Sequence, residues 1–131
     1  MSIETILTDK APRPIGPYSQ GIALEASAFK GYVFTSGQIG IDPATGALVA
    51  GGIETETRRV FENLSAVLVA GGSSLSRAVK VTVYLIDLAD FEKMNKIYQE
   101  YFGTAAPART TVAVAGLPKG ARVEIDVIAF K

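Results

Sequence analysis

Two runs late in the chain alternate almost without a break, and they constrain the fold more than any other feature. In VKVTVYLI, Val79, Val81, Val83 and Leu85 alternate with Lys80, Thr82, Tyr84 and Ile86. In VEIDVIAF, Val123, Ile125, Val127 and Ala129 alternate with Glu124, Asp126, Ile128 and Phe130. A period of two belongs to β-strands, whose side chains point to opposite faces of a sheet. The first set in each run is wholly apolar and suits a covered face. The second is half apolar, too greasy for open water and too polar for a plain core. A sheet face that associates with other copies accounts for such a mixture. So do scattered exposed apolar groups, which ordinary monomers carry.

Helices are available to cover the first face. In IETETRRVFENLSAVLVAGG, Ile53, Val60, Phe61, Leu64, Val67 and Leu68 recur at three- and four-residue spacing. Glu54 and Glu56 favour its first turn, and Gly71 and Gly72 end it. DFEKMNKIYQEYFG reads as a second helix, with Asp90 as N-cap and Gly103 just past its end. Its apolar face is Phe91, Met94, Ile97, Tyr98, Tyr101 and Phe102. ETILT, GIALEA and GYVFTSGQIGI read as strands, DPATG as a turn, and DKAPRPIGPYSQ as an irregular, packed loop. PARTTVAVAGLPKGARVEIDVIAF supplies two last strands joined by a Pro-Lys-Gly turn. No linker or repeat interrupts the 131 residues. The expectation is one α+β domain over residues 1–131, with two helices on one face of a mixed sheet.

Composition narrows the chemistry. The chain has no Cys and no His. Disulfides, thiolate nucleophiles, Cys/His zinc sites and Ser-His-Asp triads are therefore excluded. Lys+Arg and Asp+Glu are 13 each, a balance that argues against an electrostatic nucleic-acid binder. No run approaches the roughly 20 apolar residues of a membrane span, and the start lacks a leader pattern. The expectation is a cytoplasmic protein without metal, nucleic-acid or membrane partner. Its proton chemistry falls to Glu, Asp, Tyr, Lys or water.

Each candidate residue has two readings. Arg109 is a surface arginine after Pro107, or a planar fork that clamps a carboxylate. Glu124 is a solvated strand position, or a carboxylate that orients or deprotonates water beside a substrate; an arginine nearby would keep it ionised. Asp126 shares the face of Glu124 and is either the actor or its neighbour. Asn95 ties its helix to the sheet or lines a pocket. Tyr18, in PIGPYSQG, packs its ring or serves a site. TSGQIG has two glycines without dinucleotide or phosphate-loop spacing; a glycine there permits close backbone approach to a ligand or another chain.

Four blocks resemble one family: APRPIGPYSQG, FTSGQIGIDPATG, RAVKVTVYLIDLADFEKMNKIYQEYF and, most specifically, PARTTVAVAGLPKGARVEIDVIAF. Together they run nearly end to end and are similar to the RidA (YjgF/UK114) family of enamine/imine deaminases. The resemblance implies a chorismate-mutase-like fold and a homotrimer whose sheets form an inner barrel, with active clefts between subunits. Arg109 matches the arginine that holds the substrate carboxylate, and Glu124 the glutamate that positions water. Tyr18, Ser36, Gly37 and Asn95 match pocket positions, Gly37 through its backbone. Thr111, also at the substrate site, falls where many members carry cysteine. The segment FGTAAPAR is shorter than in some members, which bears on the pocket rim. The implied activity is cofactor-free hydrolysis of 2-iminobutanoate and 2-iminopropanoate to 2-keto acids and ammonia, sparing pyridoxal-phosphate enzymes. The alternative is a trimeric module that binds 2-keto acids or similar small carboxylates without turnover.

Overall fold

The computed structural model describes residues 3–25 and 30–131. Its elements in chain order are β1 (Ile3–Ile6), β2 (Gly21–Leu24), β3 (Tyr32–Phe34), α1 (Ile53–Ala70), β4 (Ala78–Leu85), α2 (Phe91–Phe102), β5 (Ala108–Ala113) and β6 (Val123–Phe130). The main sheet runs β3-β6-β4-β5, and β1 and β2 form a separate antiparallel pair. β4 is antiparallel to β6 and parallel to β5, so the sheet is mixed, as expected. A parallel pair needs a crossover, and α2 supplies it.

The alternation of the two late runs becomes the core. Val81, Val83 and Leu85 of β4 and Val123, Ile125, Val127 and Ala129 of β6 are buried, at most 1% exposed. They pack with Ile53, Val60, Phe61, Leu64 and Leu68 of α1 and Met94, Ile97, Tyr98 and Phe102 of α2. Fully burying one such side chain contributes about 1.5–3 kcal/mol. Phe61 is the hub, stacked on Tyr101 at 4.7 Å and edge-on to Tyr98 at 5.9 Å and Phe102 at 5.6 Å. The two glycines after α1 close it: Gly72 has φ +86°, and the Ser73 amide donates to the Leu68 carbonyl at 2.8 Å. That 6→1 bond caps the helix.

Several expectations change. Val67 lies off the buried stripe of α1 and is 39% exposed. Val79 does not join the core set. The β4–β6 register shifts between Ala78 and Lys80, so Val79 is the extra residue of a bulge and Ala78 faces Ala129. Asp90 makes no side-chain cap bond. Its carboxylate instead accepts two bonds from the Arg122 guanidinium, at 3.1 and 2.9 Å. Glu56 is buried and accepts the Arg122 backbone N–H at 2.9 Å, so it docks the start of β6 onto α1. GYVFTSGQIGI is a strand only at β3; beyond it, Gln38 and Ile41 make isolated bridges to Ile125 and Leu48. β5 and β6 follow one another in sequence but not in the sheet, because β4 lies between them. Ala26, the last residue of the strand expected over 21–26, lies outside the described residues.

Candidate functional site

Arg109 stands on β5 in register with Val81. Paired residues share a face, so its side chain emerges on the helix-covered side, at the rim where β5 ends the sheet. There it meets α2. Its Nη1 donates to Asn95 Oδ1 at 2.5 Å. Its Cζ lies 4.7 Å from the Tyr98 ring centre, 5.5 Å from that of Phe91 and 5.2 Å from that of Tyr18. Phe91, Asn95 and Tyr98 follow the i, i+4, i+7 spacing of one helix face.

The proline-rich loop brings Tyr18. Gln20 Nε2 donates to the carbonyls of Thr8 and Pro12, at 3.1 and 2.8 Å, and its Oε1 accepts the Thr8 amide at 2.7 Å. Ser19 then fastens the loop to the start of β5, its amide on Pro107 and its hydroxyl on Ala106. Gly16 lies so near that an added Cβ would sit 3.2 Å from Arg109 Nη2, which keeps the guanidinium accessible.

The result is a cleft of about 200 Å³ lined by Ile15, Tyr18, Phe91, Arg109 and Thr111. Burial lowers the Arg109 pKa, against the opposing pull of Tyr98 and Tyr18; an arginine nonetheless stays charged. Its only hydrogen bond to another side chain among the described residues is to Asn95, and no carboxylate pairs with it there. A half-desolvated cation without a counter-ion is costly in a fold and marks a place for an anionic ligand.

Glu124 stands on β6 opposite Tyr84. Tyr84 belongs to the other face, so Glu124 and Arg109 project from opposite sides of the sheet. The stretch after β3 runs beside β6: Thr35 and Gln38 bond to the backbone of Val127 and Ile125, and the exposed Ser36 and Gly37 lie between those points. Gly37 presses on the Glu124 side chain so closely that an added Cβ would stand 2.7 Å from its Cδ. A side chain at 37 would push the Glu124 carboxylate aside, so glycine here lets the glutamate lie close against the backbone. Asp126, next along this face, accepts the Tyr84 hydroxyl at 3.1 Å, which raises the tyrosine pKa.

The sequence candidates therefore fall into two groups. Arg109, Asn95, Tyr18 and Thr111 gather at the cleft. Glu124, Ser36 and Gly37 gather on the open face. One chain does not unite them, and among its described side chains no arginine bonds to Glu124. Phe91 as a cleft wall, Tyr98 as a ring against the guanidinium, and Gly16 as the cleft's clearance went unread. The signal for the first two was their helical spacing from Asn95; for Gly16 it was a glycine between prolines. Among the described residues, no group of three or more His, Cys, Asp or Glu could hold a metal ion, and no helix is long and apolar enough to cross a membrane.

Comparison with known proteins adds to this geometry. Residues 8–131 match the family model described as endoribonuclease L-PSP. A RutC family protein of Pyrococcus abyssi is 52% identical over 100% of this chain and 99% of its own. The human 2-iminobutanoate/2-iminopropanoate deaminase is 43% identical over 96% of this chain and 88% of its own. The crystal structure of E. coli TdcF with bound serine superposes with a TM-score of 0.73 at 40% identity, covering 98% of each chain.

Proposed function

The chain belongs to the RidA (YjgF) family, that of the endoribonuclease L-PSP model, and from that premise we propose that it is a deaminase of small 2-imino acids. The observation that carries the proposal is the desolvated Arg109, held by Asn95 and three aromatic rings without a carboxylate partner among the described residues. A planar fork of that kind suits a carboxylate. Two relatives agree in chemistry: one is named a 2-iminobutanoate/2-iminopropanoate deaminase, and another, E. coli TdcF, holds bound serine, a small amino acid.

In this reading the working site is completed by a second copy. Arg109 and Glu124 lie on opposite faces, so the open face of one chain must meet the β5 rim of the next. A homotrimer of sheets closed into a barrel does this, and it covers Tyr32, Phe34, Ile128 and Phe130. Arg109 clamps the carboxylate and fixes the C=N carbon. Glu124 of the neighbouring copy aligns a water and takes one of its protons as the oxygen attacks that carbon; the imine nitrogen gains a proton. The carbinolamine then forms its C=O bond as the C–N bond breaks, and its hydroxyl proton passes to solvent, replacing the one that the imine nitrogen drew from it. The proton held by Glu124 returns to nitrogen, and ammonia and the 2-oxo acid leave. Placement alone supplies much of such an acceleration, and rigid strands give that placement. Acting in the cytoplasm, the enzyme would clear imines released by pyridoxal-phosphate dehydratases.

A second reading, a carboxylate-binding module without turnover, draws on the serine of the E. coli relative. The family model's ribonuclease description fits less well: a cleft of about 200 Å³ around one cation suits a small acid better than a polynucleotide. The test is a coupled assay that generates 2-iminopropanoate with an amino-acid oxidase and traps surviving imine with semicarbazide. The proposal expects wild type to lower trapping, and Arg109→Ala and Glu124→Gln to abolish that effect. Binding of pyruvate without any change in trapping would favour the module.

A further inference from the structure

Two buried side-chain oxygens, Thr111 Oγ1 and Tyr98 Oη, have no hydrogen-bond partner in the described molecule. One lies in the Arg109 cleft and the other on a residue packed beside it. Thr111 lines the cleft, and the Tyr98 ring packs under the guanidinium. Thr111 stands in register with Val83, so it shares the face of Arg109 and lies about 7 Å further along the strand. A buried hydroxyl without a partner is destabilising, and native structures keep few of them. Valine would fill the same space without that penalty.

No hydrogen bond holds the threonine hydroxyl where it is, so a χ1 step between staggered wells would break none. The cleft volume of about 200 Å³ equals roughly six or seven waters. That is room for a carboxylate and a short side chain. A ligand with an alkyl side chain leaves Oγ1 buried and unsatisfied, whereas a ligand with a hydroxyl satisfies it. A site built to hydrogen-bond a ligand group discriminates against the analogue that lacks it.

We infer that Thr111 selects the ligand's side chain: the cleft prefers small 2-imino or 2-oxo acids bearing a hydroxyl over alkyl analogues of the same size. The inference rests on the carboxylate reading of Arg109 given above and adds the class of side chain to it.

Isosteric pairs test it without requiring turnover. 3-Hydroxypyruvate and 2-oxobutanoate differ by one hydroxyl-for-methyl exchange; L-serine and L-2-aminobutanoate differ in the same way. Calorimetry on the intact protein is expected to show the hydroxyl member of each pair bound about tenfold tighter, the value of one net hydrogen bond. Thr111→Val should remove or invert that preference, and Thr111→Ser should retain it. Should the valine variant fail to fold, Thr111→Cys, a weaker hydrogen-bonding group, should reduce the preference several-fold. Equal affinities in wild type, or a preference that survives Thr111→Val, overturns the inference and leaves the Arg109 clamp standing. Failure of all four acids to bind wild type overturns the clamp and the inference together.

Discussion

The two faces of the main sheet use the same strands for opposite ends. The helix-covered face is finished within one chain. Val81, Val83, Leu85, Val123, Ile125, Val127 and Ala129 meet α1 and α2 and leave almost nothing to solvent. The open face is unfinished. Phe34 is 69% exposed and Tyr32 43%, and beside them on the sheet stand Glu124, Asp126, Tyr84, Thr82 and Lys80. Stability and recognition are thus separated by a period of two: odd-numbered positions of β6 hold the fold, and even-numbered ones face whatever comes next. The candidate site straddles this division, with Arg109 at the rim of the finished face and Glu124 on the unfinished one.

Substitutions can break the contrast, beginning with the largest effect. Phe61→Ala should cost about 3–5 kcal/mol of stability, read by denaturant unfolding. Phe34→Ser, on the open face, should change the stability of a single chain by roughly 0.5 kcal/mol or less and instead shift the assembly toward monomer in sedimentation. A large loss of stability without dissociation would erase the distinction between the faces. Arg109→Ala should lower kcat/KM about 30–150-fold, the ~2–3 kcal/mol of a charged hydrogen-bonded contact, with secondary structure unchanged by circular dichroism. Gly37→Ala should displace the flexible Glu124 carboxylate, changing stability by about 1 kcal/mol or less, and it should impair turnover while ligand binding at Arg109 persists. Tyr98→Phe is the subtlest. It removes an unsatisfied hydroxyl, so stability at pH 7 should hold or rise by about 1 kcal/mol.

The same variant carries a pH signature. Burial raises the Tyr98 pKa above the usual phenol value, so the folded state holds that proton more tightly than the unfolded chain does. This contribution is complete below the unfolded pKa of about 10 and is lost as pH rises through the folded value. Tyr98→Phe should therefore flatten the alkaline fall in stability above about pH 10. An unchanged alkaline limb would assign that loss to other tyrosines.

Much of this was legible in the residues, because burial on one face writes itself as period. The two late strands and both helices could be read from spacing alone. The misses are local. A bulge costs one residue and displaces Val79 from its set. The cap expected at Asp90 is lost to Arg122, a partner 32 residues away that no local pattern could reveal. At the site, Arg109 and Glu124 were readable as residue types, but their placement on opposite faces follows from strand order. The sequence presents β5 and β6 as neighbours, and the sheet sets β4 between them. The aromatic rings on Arg109 were visible only as core spacing, since Phe91 and Tyr98 serve the guanidinium and the apolar face at once.

The most direct test of a divided site is complementation. Arg109→Ala and Glu124→Gln chains, each strongly impaired alone, would be co-refolded in equal amounts and assayed for loss of imine trapping. If each site takes Arg109 from one chain and Glu124 from another, random mixing pairs the two intact halves at roughly a quarter of the interfaces of a cyclic assembly. Activity should return to about that fraction of wild type. A mixture no more active than its parents would contradict the account and place both residues' work within one chain.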